Sequence, residues 1–156
     1  MKPLLQVEGV SKSFARGGIP VRVLENVSME VHDGELFAIY GKRASGKTTL
    51  LEIAAGLADP DAGTVSFNGR DMARMSQRQL AGMHRDHVGW VEREAVTGLL
   101  REVASTAGVG VLLAVPELHP MLLADHQRIL AGGKLIGPPP DYGGGKIVDF
   151  PRRRSA

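Results

Sequence analysis

The sequence predicts an α/β protein in which an antiparallel β layer precedes a parallel-sheet core. Near the N-terminus, short segments alternate polar and apolar residues, which is typical of half-buried strands. A glycine-containing loop then joins an apolar strand to a helix-like segment, and Val109–Val115 is fully apolar, as in the middle of a parallel sheet. We therefore expect both kinds of sheet in one chain.

The N-terminal layer is predicted from alternating residues and from turn signals. Its expected strands are Leu5–Val10, Val21–Leu24 and Val27–Val31. The turn Arg16-Gly17-Gly18 separates the first strand from the others, and the turn His32-Asp33-Gly34 leads into an apolar strand, Glu35–Tyr40. Because these strands follow one another through short turns, we expect antiparallel pairing.

A helix is expected after the glycine-containing loop, from about Lys47 to Ala58, and the segment Asp59–Gly63 should end it. Asn68-Gly69 is a strong hairpin signal, and Ser76 is a candidate cap for a short helix that extends to His84. The remaining expected elements are strand Thr64–Phe67, strand Val88–Val91, helix Glu94–Ala107, strand Val109–Val115, a short helix Leu118–Ala124, and strands His126–Ala131 and Lys134–Ile136.

The composition favours one domain without disulfides or membrane spans. The 156 residues suffice for a core, and the lack of cysteine fits a reducing compartment. The near balance of 19 Lys and Arg with 17 Asp and Glu gives no argument for binding nucleic acid. Met1–Leu5 does not begin a signal peptide, and the sequence has no long uncharged apolar run, so we expect a cytoplasmic protein.

We divide the chain at residue 137. Residues 1–137 contain the expected core elements, whereas residues 138–156 form a proline- and glycine-rich tail with a basic run, Arg152-Arg153-Arg154. Segments of this composition form linkers rather than cores, and we expect the basic run to be solvated.

The run Gly41-Lys42-Arg43-Ala44-Ser45-Gly46-Lys47-Thr48 is a P-loop, placed between an apolar strand and a helix. In such a loop, backbone N–H groups turn inward to bind phosphate, and the helix directs its positive dipole end to the same place. Lys47 would reach the β- and γ-phosphates, and the Thr48 hydroxyl would bind Mg²⁺. The sequence therefore predicts a site for a magnesium-bound nucleotide such as ATP.

The candidate nucleotide-binding residues of the loop are Gly41, Lys42, Arg43, Ala44, Ser45, Gly46, Lys47, Thr48 and Thr49. Ala44 stands where many P-loops carry another glycine. If the φ angle of Ala44 is positive, its Cβ costs on the order of 1 kcal/mol. That cost would weaken nucleotide binding without abolishing it.

The order of these motifs resembles the ATP-binding subunit of ABC transporters from Leu5 to about Val91. The matching segments are the opening strand Val7–Phe14, Leu24–Ser28, Gly34–Ile39, the P-loop, Leu57–Val65 and Gly69-Arg70-Asp71. The resemblance implies a P-loop NTPase core with an N-terminal antiparallel β layer, and an aromatic ring, here Phe14, that stacks on adenine. Ser76–Ala81 and His87–Val91 are similar to the branch that serves lipoprotein release and macrolide export.

After Val91 the resemblance breaks. The family's Q-loop glutamine would follow, but the chain reads Glu92-Arg93-Glu94, and the helical subdomain, its Leu-Ser-Gly-Gly-Gln signature, the Walker B Asp-Glu pair and the D-loop are missing. The resemblance resumes over about Leu100–Leu135, where Pro116-Glu117 occupies the place of the switch histidine. An alternative alignment treats Val111–Glu117 as a decayed Walker B strand with Glu117 as the base.

The resemblance implies a shortened ATP-binding protein that binds MgATP or MgADP and is impaired in hydrolysis, so its catalytic residues stay open. The implied partners are a membrane permease and a second cassette, which would place the protein at the inner face of the membrane. One alternative is an ATPase subunit that energises membrane export as a heterodimer with an intact cassette. Another is a different P-loop phosphotransferase, which the antiparallel layer argues against.

Overall fold

The computed structural model of the protein describes residues 2–87, 97–115 and 124–137. The strands in these ranges are β1 (Leu5–Arg16), β2 (Ile19–Val31), β3 (Leu36–Tyr40), β4 (Ala62–Phe67), β5 (Arg70–Asp71), β6 (Val111–Val115), β7 (His126–Ala131) and β8 (Lys134–Ile136). The helices are α1 (Lys47–Ala54), α2 (Gln77–His87) and α3 (Thr97–Ala107), with a 3₁₀ turn at Met72–Arg74. The predicted α/β fold class is confirmed.

The first sheet is antiparallel and has the strand order β2-β1-β4-β5. The β1–β2 hairpin turns at Gly17 and Gly18, which adopt φ angles of 60° and 78°. The sequence predicted two short strands where the structure has one, β2. They join because Asn26 adopts a φ of 50°, which asparagine tolerates, and β2 pairs with β1 on both sides of this irregularity.

The turn and the helix cap that the sequence predicted from local residues are both present in the structure. Asn68 and Gly69 adopt φ angles of 50° and 72° between β4 and β5, as a tight hairpin turn requires. At the start of α2, the Gln79 N–H donates to Ser76 Oγ at 3.3 Å, and the Ser76 N–H donates to Gln79 Oε1 at 2.8 Å. This reciprocal pair is a capping box.

The second sheet has the order β6-β3-β7-β8 and contains the strand that leads into the loop. β3 is parallel to β6 on one side and to β7 on the other, so two later segments of the chain flank it. β6 starts at Val111 rather than at the expected Val109. The backbone at Gly110 passes so close to the His32 carbonyl that a Cβ would lie 2.9 Å from it.

Helix α1 is shorter than predicted, because it ends at Ala54 rather than at Ala58. Gly56 adopts a φ of 71° and closes the helix: the Leu57 N–H donates to the Glu52 carbonyl at 2.8 Å, and the Gly56 N–H donates to the Ile53 carbonyl at 3.0 Å. These two bonds form a Schellman motif, a common helix ending at glycine.

The core lies on both faces of β3. On one face, Phe37 and Ile39 join a large cluster with α1, the first sheet and Leu130 of β7. On the other face, Leu36, Ala38 and Tyr40 pack against β6, with Leu100 of α3 beside them. The P-loop strand is therefore covered by a helix on each face.

Several predicted segments lie outside the described residues: strand Val88–Val91, the first three residues of the helix expected from Glu94, residues 118–123 of the helix expected to end at Ala124, and the tail 138–156. Within the described ranges, one helix, α3, leads to β6. No helix in these ranges is long and apolar enough to cross a membrane.

Candidate functional site

The candidate site is the loop between the carboxyl end of β3 and the start of α1. The Ser45 N–H donates to the Lys42 carbonyl at 3.1 Å, which closes a β-turn over residues 42–45. Ala44, the third residue of this turn, adopts a φ of 62°, so the backbone strain that the sequence made conditional on a positive φ is present. Gly46 follows with a φ of 99° and is the N-cap residue of α1.

The glycines at the two ends of the loop are packed against distant strands. A Cβ on Gly41 would clash with the Ser45 hydroxyl and would lie 2.8 Å from the Leu130 carbonyl of β7. A Cβ on Gly46 would lie 2.9 Å from the Val23 side chain of β2. Neither contact was foreseen from the sequence, because both join residues far apart in the chain.

The Lys47 ammonium group lies over the loop. Its Nζ donates to the Gly41 carbonyl, to the Lys42 carbonyl at 2.9 Å and to Ser45 Oγ at 3.3 Å. These acceptors are all neutral, and in the described part of the chain no carboxylate lies within ion-pair distance of Lys47. Burial lowers the pKa of Lys47, since desolvation disfavours its charged form.

The start of α1 fits an anionic ligand. No side chain caps the helix, and its first turn contains no acidic residue. The first N–H groups of a helix have no partner within the helix, so these donors are open to an anion beside Lys47. The loop therefore fits a phosphate group by backbone donors, by helix dipole and by charge.

The Thr48 side chain is exposed and the Thr49 side chain is half-buried in the first turn of α1. Among the described residues, no group of three or more His, Asp or Glu side chains is arranged to hold a metal ion. A magnesium ion at Thr48 would therefore arrive with its phosphate ligands, as Mg²⁺ usually does in nucleotide sites. The expectation that the Thr48 hydroxyl is one of the Mg²⁺ ligands stays a prediction.

Phe14, the expected adenine-stacking residue, lies on β1 opposite Val21 of β2. Its side chain is 46% exposed, and Lys12 Nζ lies 5.5 Å from the ring centroid. Two residues after Val21, Val23 contacts Gly46 of the loop. The structure thus brings loop residues 41–49 together, while Phe14 is on the hairpin whose second strand touches the loop.

Tyr40 is a residue of the site that the sequence reading counted only as part of a strand. It is the last residue of β3, directly before Gly41, and is 2% exposed. Its hydroxyl finds no hydrogen-bond partner in the described part of the chain, and burial raises the pKa of Tyr40 to about 12. A tyrosine at a strand end gives no signal in the sequence that its hydroxyl will be buried.

Acidic side chains cluster at the opposite end of β3. Glu35 lies 3.4 Å from His126 Nε2, and Asp125 accepts the Leu36 N–H at 2.7 Å and also pairs with Arg101. β3 is five residues long, so roughly 13 Å of strand separates this cluster from the loop. Glu117, which the alternative alignment treats as the base, lies outside the described residues, as do Glu92 and Glu94 at the place of the Q-loop.

The chain is similar to known proteins of one family. Residues 24–129 match a family described as ABC transporter. A macrolide export ATP-binding/permease protein, MacB, of Marinobacter nauticus is 38% identical over 134 residues, which is 84% of this chain and 20% of that protein. A lipoprotein-releasing system ATP-binding protein, LolD, of Bacteroides thetaiotaomicron is 36% identical over 88 residues, 56% of this chain and 38% of that protein. The chain thus spans well under half the length of these relatives.

Solved structures share the fold at low sequence identity. A bacterial ABC transporter cassette, solved as a dimer, superposes with a TM-score of 0.72 at 15% identity, covering 84% of this chain and 96% of that chain. The cbiO1 protein of Clostridium perfringens, described as part of an ABC transporter complex, gives a TM-score of 0.69 at 13% identity, covering 87% of this chain and 88% of that chain.

Proposed function

This chain belongs to the ABC transporter ATP-binding cassette family, and we propose that it binds MgATP or MgADP through residues 41–49 and turns ATP over slowly or not at all. In this proposal Lys47 neutralises the β- and γ-phosphates, the N–H groups at the start of α1 bind phosphate oxygens, and Thr48 ligates Mg²⁺. Phe14 stacks on adenine.

One observation carries the binding proposal: the Lys47 ammonium lies on the loop with only neutral acceptors, beside an uncapped helix start. Lys47 is a half-buried cation without a carboxylate partner among the described residues, and a bound anion would best compensate its charge. This geometry supports phosphate binding, whereas Glu117, the base of the alternative alignment, lies outside the described residues, so binding is better supported than catalysis.

The test is a calorimetric titration of ATP and ADP, with Mg²⁺, into wild type and Lys47→Ala. Loss of a charge-assisted contact to phosphate should weaken binding roughly 10- to 100-fold. Lys134→Ala is the matched control, because it removes the same charge from an exposed position on β8. Equal affinity in wild type and Lys47→Ala would rule out binding through this loop.

Impaired hydrolysis is proposed from the sequence of the chain. No Asp-Glu pair follows an apolar strand, and the chain has no Leu-Ser-Gly-Gly-Gln signature. Loss of a group that orients or deprotonates water typically slows turnover 10²- to 10⁴-fold. We expect phosphate release far below about 1 per second. Turnover at that rate or faster, abolished by Lys47→Ala, would refute impairment.

A second candidate function is an ATPase subunit completed by another cassette and a permease. It is favoured by the MacB relative, whose name joins ATP-binding and permease activities, and by the dimeric cassette among the solved structures. Co-expression with an intact cassette should then give ATP turnover that Lys47→Ala in this chain lowers. If turnover of the mixture is the same with wild type and with Lys47→Ala, the candidate fails.

A further inference from the structure

We propose that Lys42 and Arg43 make the loop selective for ligands with a longer, more highly charged phosphate chain, so that ATP and inorganic tripolyphosphate are favoured over ADP. The inference rests on the proposed nucleotide binding and adds a substrate preference at the same loop. In this inference the two side chains determine which phosphate ligand binds best. The P-loop pattern itself does not predict this role, because it accepts any residue type at positions 42 and 43.

The first observation is the position of the two cations. They are the first two residues of the β-turn that Ser45 closes, and both side chains are exposed, in contrast to Lys47, which is folded onto the loop carbonyls. The first half of the turn therefore carries two cations whose side chains are exposed to solvent.

The second observation is the absence of compensating charge. In the described ranges, neither Lys42 nor Arg43 lies within ion-pair distance of a carboxylate, and the first turn of α1 contains no acidic residue. Three cations thus occur within the six residues from Lys42 to Lys47. The acidic cluster of Glu35 and Asp125 is at the other end of β3.

Lys42 and Arg43 act on a ligand mainly by charge, because exposed side chains do not enforce one contact geometry. Coulomb attraction grows with the charge of the ligand, and a terminal phosphate adds charge without changing the adenosine. Lys47 attracts every phosphate ligand of the loop, whereas the two exposed cations add a contribution that is largest for the longest phosphate chain. This contribution is screened by salt, as expected for exposed charges.

The experiment compares ATP, ADP and inorganic tripolyphosphate by calorimetry in wild type, in the double variant Lys42→Gln/Arg43→Gln and in Lys134→Gln, a control that removes one exposed positive charge from β8. Titrations are repeated at low and high salt. We expect the double variant to bind ATP and tripolyphosphate roughly five- to tenfold more weakly and ADP only about twofold more weakly at low salt. The difference should shrink at high salt, and Lys134→Gln should keep the wild-type ratios.

The outcomes separate this inference from the proposed function. If the ratio of ATP to ADP affinity is unchanged in the double variant while Lys47→Ala still weakens ATP binding, the selectivity is wrong and nucleotide binding stands. The selectivity is also overturned if tripolyphosphate binds equally well to wild type and to the double variant. If wild type binds none of the three ligands, both proposals fail. Circular dichroism of the double variant confirms that two exposed substitutions leave the fold intact.

Discussion

The two faces of β3 are packed differently. On the α1 face, Phe37 and Ile39 belong to a cluster of 15 buried residues that unites both sheets. On the α3 face, the cluster of buried residues in the described part of the chain has five members, including Tyr40 with its unpaired hydroxyl. One strand thus separates a large apolar core from a smaller one that contains a polar defect.

This difference indicates which face holds the loop in place. Helix α1 begins with the loop residues and buries Leu50 and Ile53 in the large cluster, so the start of α1 is fixed by that core. The α3 face instead contacts the last residue before the loop, Tyr40. We therefore expect changes on the α1 face to alter stability more than changes on the α3 face.

The largest effect should come from removing a leucine on the α1 face. Leu50→Ala, at a fully buried position, should cost about 3–5 kcal/mol of unfolding free energy, and Leu113→Ala on the α3 face about 2 kcal/mol, because the smaller cluster leaves a smaller loss of packing. Urea denaturation measures both. Leu57→Ala, at a 60% exposed leucine, is the control and should change stability by less than about 0.5 kcal/mol. Equal costs at Leu50 and Leu113 would remove the distinction between the faces.

The next effect concerns the polar defect and pH. Burial raises the pKa of Tyr40 to about 12. The unfolded chain releases this proton near pH 10, whereas the folded protein keeps it, so the stability contributed by neutral Tyr40 is present below pH 10 and is lost as pH rises to about 12. The loss should be on the order of 2 kcal/mol.

Tyr40→Phe tests this expectation. The variant should lack that loss between pH 10 and 12. At neutral pH it should be as stable as wild type or about 1 kcal/mol more stable, because the substitution removes a buried hydroxyl that has no partner among the described residues. Denaturation curves at several pH values provide the comparison. If Tyr40→Phe is strongly destabilised at neutral pH, the hydroxyl has a partner and the α3 face has no defect.

The smallest effect lies in the loop that the α1 face anchors. Ala44→Gly should raise stability by about 0.5–1 kcal/mol, because glycine adopts the φ of 62° without strain. Ala81→Gly, at an exposed position within α2, should lower stability by a similar amount, since glycine costs helix entropy. Thermal melts of the two variants should shift in opposite directions. Parallel shifts would show that Ala44 is not strained.

Features that depend on neighbouring residues could be predicted from the sequence. The loop between strand and helix, the Asn68-Gly69 turn and the cap at Ser76 follow from local rules, and the structure contains the geometry that each requires. The strain at Ala44 could be predicted only on the condition that its φ is positive, because the residue type alone does not determine the φ of an alanine. The end of α1 was misplaced because Gly56 was not recognised as a closing residue.

Features that depend on distant residues could not be predicted. The Leu130 carbonyl against Gly41 and the Val23 side chain against Gly46 require a knowledge of how the two sheets meet. His84 of α2 is half-buried and bonds to the Ala55 carbonyl after α1, and no pattern in the sequence predicts this contact. These contacts are set by tertiary packing, which periodicity and spacing do not encode.

The parallel pairing of β3 also determines when the loop can be completed as the chain is made. Leu36 pairs with Val111 about 75 positions later, and Phe37 pairs with His126 about 89 positions later. The antiparallel sheet draws its strands from residues 5–71 and can assemble early. One edge of β3 stays unpaired until β6 has emerged from the ribosome, and the other edge until the segment through Ile129 has emerged. During synthesis, the apolar strand that leads into the loop is therefore exposed longer than any strand of the first sheet, and it is the segment that a chaperone would have most reason to shield.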